Sequence, residues 1–327
     1  MKENGSPSTA AGGNAADPVL EPLTGETRDG LPLSLNRAAA PDVSPWVARI
    51  MSAEVRAPAG TTIRCNMFND AANLRVLFHG RWGAETVDGP ASYNLGNQGQ
   101  ALFFGPLSKC MPITVDGSFK VAGLSLRPGA EYAMGGMLPS ASMDRIIDFD
   151  GIVGHGRLGD RFDVAAGHDA WADRFEELLR EFIALRRPPP PDPVTTAFDR
   201  FAFASPDAPV SEFIATHGVT QRTLERIVKR DFGMTPKQVL RRARVLDMAS
   251  QLLGVAAPDE AEALALRFFD QSHLIREFSH FFGMTPQQLT RRANPLLRIT
   301  LEGRQARRLE ELRRIEPGAT PWRAGPA

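Results

Sequence analysis

The sequence predicts a multidomain α+β protein, with a β-rich N-terminal body and an all-α C-terminal body that holds one helical unit twice. Three observations predict it. Apolar runs of strand length, split by turn residues, fill residues 43–128. The run "RRPPPPDP" (186–193) interrupts the chain where neither helix nor central strand can form. Finally, the pattern FGMTP-x-Q-x-x-RRA begins at Phe232 and recurs at Phe282, fifty residues later.

Taken in chain order, residues 1–40 are rich in Gly, Ala, Ser, Asn and Pro and read as a disordered tail. The tail lacks the apolar centre of a secretory signal. No run reaches the ~18 apolar residues of a membrane span, so the sequence predicts no membrane partner and a cytoplasmic location. The only cysteines, Cys65 and Cys110, are too few for a disulfide framework or a four-thiolate zinc site.

Residues 41–185 form the β-rich body. The runs "TIRCNMF", "LRVLFHG", "QALFFGP", "MPITV" and "FKVAGLSLRPG" predict a small antiparallel barrel or sandwich. A helix follows in which Trp171, Phe175, Leu178, Phe182 and Leu185 recur at helical spacing. That stripe either packs on the body's own sheet or pairs two copies of the chain. Residues 186–194 then read as a stiff polyproline linker, which predicts that a fragment from about Thr195 folds alone. The body at 195–296 is helical, and 297–327 is a helical or disordered tail.

The repeat is helix punctuation. Gly233 and Gly283 can each end a helix in the left-handed conformation. Thr235 and Thr285 are N-caps, Pro236 and Pro286 take the first helical position, and Gln238 and Gln288 complete capping boxes. Upstream the copies align without a gap: Ala215 with Ala265, Gln221 with Gln271, Leu224 with Leu274, Arg226 with Arg276. In the first copy a helix from near Asp207 turns at Gly218, Thr220 caps, and a second helix runs to Gly233. In the second copy "DEAEALALR" is the first helix, "FF" the turn and Asp270 the cap. Helix, capped turn, helix is the helix-turn-helix arrangement. Between the copies a continuous helix places Val239, Leu240, Ala243, Leu246, Ala249 and Leu253 where they can serve both.

The second helix of each unit carries the candidate site. Leu224, Ile227 and Val228 form one inner stripe; Leu274, Phe278 and Phe281 form the other. Gln221, Arg222, Arg226 and Lys229 lie outside the first stripe, and Gln271, Ser272, His273 and Arg276 outside the second. Gln and Arg side chains can bond adenine and guanine edges bidentately, and base contacts concentrate near the start of such a helix. Charge agrees. Residues 195–316 hold 19 Lys+Arg against 15 Asp+Glu, a net of +4. The segment 220–244 holds eight basic residues against Glu225 and Asp231. For a single unit, a structural hairpin with a solvated face competes evenly; the doubling and the basic first helix favour double-stranded DNA.

The segments "TQRTLERIVKRDFGMTPKQVLRRARVLDMASQLL" and "ALRFFDQSHLIREFSHFFGMTPQQLTRR" resemble the AraC/XylS family of bacterial transcription regulators. The resemblance implies two helix-turn-helix units rigidly joined by the central helix. Their recognition helices, about 221–231 and 271–281, would enter successive major grooves. It assigns base-facing roles to Gln221, Arg222, Arg226, Gln271, Ser272 and Arg276. This sequence departs from the family at Val228, where an aromatic is usual, and at Arg267–Phe269, which replaces a common Gly-Phe turn. The segment "VAGLSLRPGAEYAMGGMLPSASMDRIIDFDGIVG" is similar to the sensor domains of some AraC-like regulators. That implies a cupin-like antiparallel β-barrel with helices, answering to a small-molecule effector or mediating a homodimer, with RNA polymerase as a further partner.

The competing function is a cupin-type enzyme fused to a DNA-binding module. It needs a metal cluster or a catalytic constellation. His79, His155 and His168 are scattered, there is no Ser/His/Asp set, and "GGMLPS" (135–140) is no phosphate loop. The sequence therefore predicts no catalytic residues, no metal and no cofactor.

Overall fold

The computed structural model describes residues 35–58, 60–153, 156–256, 271–292, 294–317 and 319; the side chains of 152–153 and 271–274 lie outside that description. Most of the expected tail therefore falls outside the described residues. Its last part does not behave as a tail, since Leu35–Ala38 form β1 and pair antiparallel with β2 (Val47–Val55).

Eight further strands follow: β3 (Thr62–Met67), β4 (Asn73–Phe78), β5 (Arg81–Thr86), β6 (Gly89–Asn94), β7 (Gln100–Phe104), β8 (Met111–Asp116), β9 (Phe119–Leu126) and β10 (Ile146–Asp148). They form a six-stranded sheet ordered β1-β2-β9-β4-β7-β10 and a four-stranded sheet ordered β3-β8-β5-β6, antiparallel throughout. The barrel that the resemblance implies is not closed: β1 and β10 end the larger sheet without meeting.

The larger sheet is buried on both faces, which is why its strands read as continuous apolar runs rather than alternating ones. Leu77, Leu102, Phe104 and Val121 face the smaller sheet's Ile63, Cys65, Trp82 and Val115. Their neighbours Phe78, Ala101, Phe103 and Ala122 point the other way. Cys65 is a core residue whose thiol burial pushes up to about 11, so it is not a reactive nucleophile.

Short helices α1 (Ala130–Ala133), α2 (Pro139–Ser142) and α3 (Phe149–Val153) precede the long α4 (His168–Arg186). α4 covers the outer face. Trp171 stacks on Phe78 at 5.9 Å, Phe175 packs on Phe162 at 4.5 Å, and Leu178 is part-buried in the same cluster. The stripe then leaves the core: Phe182 is half-buried and Leu185 is 79% exposed. The polyproline stretch is tied down, because the Trp46 indole donates to the Pro189 carbonyl at 2.9 Å. Its last residues, Pro193 and Val194, open α5 (Pro193–Ala204), with Asp192 as the cap.

The C-terminal helices are α6 (Val210–His217), α7 (Gln221–Phe232), α8 (Pro236–Leu252), α9 (Gln271–Phe282), α10 (Pro286–Thr290) and α11 (Pro295–Glu311). The two units differ in what supports them. The first has a core of its own: Phe198, Phe213, Leu224, Val228, Phe232, Val239 and Leu240, with Met143 of the β-rich body at its edge. The second shares its core with the sheets, where Leu246, Ala249, Phe278, Phe281, Phe282, Leu289, Leu297 and Leu301 pack with strand residues. Phe68 lies 6.1 Å from Phe281 and 5.3 Å from Phe282, ring centre to ring centre. The part of the sequence expected to be a tail is thus, through α11, part of the central core.

Candidate nucleic-acid interface

The first unit turns where glycine allows it. Gly218 ends α6 at φ 63°, and Thr220 caps α7 by accepting from the Thr223 amide at 3.2 Å. Gly233 then ends α7 at φ 69°. A Cβ at Gly233 would lie 2.6 Å from the Met143 methyl and 3.1 Å from the Pro139 carbonyl carbon. Glycine there serves both the left-handed turn and the close approach of α2. Both capping boxes form. Thr235 accepts from the Gln238 amide at 3.3 Å, and its own amide donates to Gln238 at 3.0 Å. The corresponding distances at Thr285 and Gln288 are 3.2 and 2.8 Å.

Along α7, Leu224, Ile227, Val228, Asp231 and Phe232 are buried. Gln221, Arg222, Glu225, Arg226 and Lys229 are exposed together on the other side. That face carries three cations and one carboxylate, and Gln221 already donates to Glu225 at 2.9 Å. Arg230 is committed elsewhere. It donates to Asp231 at 2.6 and 2.7 Å and to Asp192 at 3.3 Å, and lies 5.2 Å over the Tyr132 ring. Asp231 also accepts from Thr195. The network pins the C-terminal end of α7 to α5 and to the β-rich body.

On α9, Phe278, Phe281 and Phe282 are buried while Ile275, Arg276 and His280 are exposed. Gln271, Ser272 and His273 occupy the first turn of α9; their side chains, and that of Leu274, lie outside the described residues. So do the expected first helix of the second unit, its turn and its Asp270 cap. The sequence pattern did not reveal Glu277. It is buried and accepts from Arg241 at 2.6 Å and Arg244 at 3.2 Å, tying α9 to α8. Burial would raise its pKa, but those hydrogen bonds outweigh it and hold the carboxylate below its ordinary range. Its counterpart in the first copy is Ile227, so the repeat could not expose it. Arg241 and Arg244, by contrast, were visible as part of the basic segment. The backbone amide of Cys110 also donates to the Phe281 carbonyl at 2.8 Å, joining the β-rich body to the end of α9.

Beside α7, the Gly129 amide donates to the Asp231 carbonyl at 3.3 Å. Two residues on, Glu131 is buried with both carboxylate oxygens unpartnered, and burial pushes its pKa up from 4.5 to about 7. The folded form holds the proton more tightly than the unfolded chain, so stability present below pH ~4.5 is lost as pH rises through ~7. Glu131→Gln should abolish that loss. Urea unfolding at pH 5 and pH 9 should show the variant gaining up to about 3 kcal/mol on wild type at the higher pH.

Residues 214–292 match a family model described as a helix-turn-helix domain. No curated protein matches the chain in sequence. Among solved structures, ToxT from Vibrio cholerae is similar at 8% identity and a TM-score of 0.42, over 74% of this chain and 96% of that one. ToxT from the same organism with an unsaturated fatty acid bound gives 10% identity and 0.39, over 79% and 94%. The AraC-like transcriptional activator CuxR gives 11% and 0.28, over 66% and 86%. Among the described residues no helix is long and apolar enough to cross a membrane. The capped turn at Thr220, the capped joining helix α8 and the matched family model make residues 214–292 of this chain a helix-turn-helix domain.

Proposed function

We propose that the protein regulates transcription by placing α7 and α9 in successive major grooves of double-stranded DNA, under the control of a small-molecule effector or partner at the β-rich body. The observation that carries this reading is the exposed face of α7, where Gln221, Arg222, Arg226 and Lys229 stand together while every apolar residue of the helix is buried. Arg276 takes the matching place on α9 and is likewise exposed. Gln271, Ser272 and His273 complete the second reading surface. The rigid α8, whose Val239 and Leu240 serve the first unit and Leu246 and Ala249 the second, sets the spacing. The chain acts without catalysis of its own and needs no metal. RNA polymerase and a second copy of the chain are its further partners at a promoter.

The test is selection of DNA fragments from a random pool, followed by affinity measurements on the selected site. Arg226→Ala and Arg276→Ala should each cost about 1–3 kcal/mol of binding and relax preference at one base pair, the two positions lying in different sub-sites. If neither substitution changes affinity or the selected motif, the assignment of the reading face is wrong. Mass in solution, on and off the site, reports whether two copies assemble.

A further inference from the structure

A cavity of about 50 Å³ lies between the six-stranded sheet and α11. Four arginines line it, Arg49, Arg75, Arg304 and Arg307, against a single carboxylate, Asp70. Three of the four have carboxylate partners: Arg49 with Glu310 at 2.6 Å, Arg304 with Asp70 at 3.0 Å and Asp247 at 2.5 Å, and Arg307 with Asp199. Arg75 has none among the described residues. It is 8% exposed, and its neighbours are the Met67 sulfur at 3.1 Å, the Asn69 amide oxygen at 3.4 Å and the Phe104 ring at 4.5 Å. Burial lowers its pKa to about 10 with no opposing charge to restore it. A buried cation left in this way is costly.

The unpartnered polar atoms tell the same story. Asn69 Nδ2, Arg75 Nε and Arg307 Nε are buried without acceptors. All three residues line this one cavity, and none of its described lining side chains offers an unpartnered buried acceptor. Water would satisfy the donors, but it would not balance the guanidinium. A water needs only about 10–15 Å³ by this measure, so there is room for a group with several oxygens.

We propose that this cavity binds a small oxyanion, a carboxylate or phosphoryl group, held by Asn69 and Arg75 of the β-rich body and by Arg307 of α11. The bound group bridges the two bodies. Asp70 sets a limit on it: with its carboxylate held on Arg304, it leaves the ligand only the Arg75 side of the cavity. Binding does not depend on the DNA-reading assignment, and the test below uses no DNA, so either can fail without the other.

The experiment is thermal unfolding of the full chain against sodium phosphate or sodium acetate, with sodium chloride holding ionic strength constant. Tm should rise saturably, as for any ligand of the folded state alone. A rise with both salts assigns a general oxyanion site, with phosphate alone a phosphoryl site, and with acetate alone a carboxylate site. Arg75→Met should remove the response. Asn69→Ala, which keeps the cation, should raise the half-saturating concentration about tenfold, and it serves where the methionine variant does not fold. The proposal is overturned if wild type responds to neither salt, if Arg75→Met responds as wild type does, or if Asn69→Ala keeps the wild-type half-saturation.

Discussion

Replacing Asp247 by alanine should destabilise the folded chain by about 3–5 kcal/mol, the cost of stranding a buried charge. Asp247 is 1% exposed and accepts from Arg304 at 2.5 Å, with Arg308 at 4.0 Å. Arg304 is also buried, and its remaining bonds run to Asp70 and to the Ala243 carbonyl. Burial would raise the pKa of Asp70, but the charges of Arg304, Arg242 and Arg307 outweigh it and keep the group anionic. The network therefore ties α8, α11 and the β-rich body together through charges that have little water to fall back on. Asp173→Ala is the matched control. Its carboxylate is 70% exposed beside Arg37, and an exposed pair contributes under about 1 kcal/mol. Urea unfolding of both variants checks the expectation; equal losses would refute it.

A fragment starting at Thr195 should not fold as one cooperative unit. Without the sheets, Phe281, Phe282, Leu297, Ile299 and Leu301 lose the strand residues they pack against. At about 1.5–3 kcal/mol for each buried side chain, the loss is comparable to the whole stability of a domain, about 5–15 kcal/mol. The first unit keeps its own core. Circular dichroism should show reduced helix and a broad melt, and the fragment should bind the sub-site proposed for Arg226 while losing the one proposed for Arg276. A sharp two-state melt with full affinity for both sub-sites would restore the separability that the proline run suggests in the sequence.

What could be read from the sequence was local. Gly233, Thr235, Pro236 and Gln238 define a helix end and a helix start within seven residues, and the second copy repeats them. Gln221, Arg222, Arg226 and Lys229 could be placed outside the apolar stripe because helix spacing alone fixes a face. Strand-length runs were visible, but their pairing was not: β4 lies between β7 and β9, a neighbourhood set by distant chain. α11 was hidden for a different reason. Arg304, Arg307 and Arg308 make it look like a solvated helix, yet all three are buried because acidic partners from elsewhere in the fold meet them. Glu277 was hidden in the same way, its meaning lying in α8.

The unequal support of the two units gives them different lifetimes. Amide protons of α7 are protected by the opening energy of a small core that the first unit largely owns. Those of α9 exchange only when the packing against Phe68 and the amide of Cys110 gives way, so their protection should track the sheets. Under the function proposed above, heat, or a substitution in a distant strand, would then erase the second half of a bipartite DNA address while the first half stayed legible.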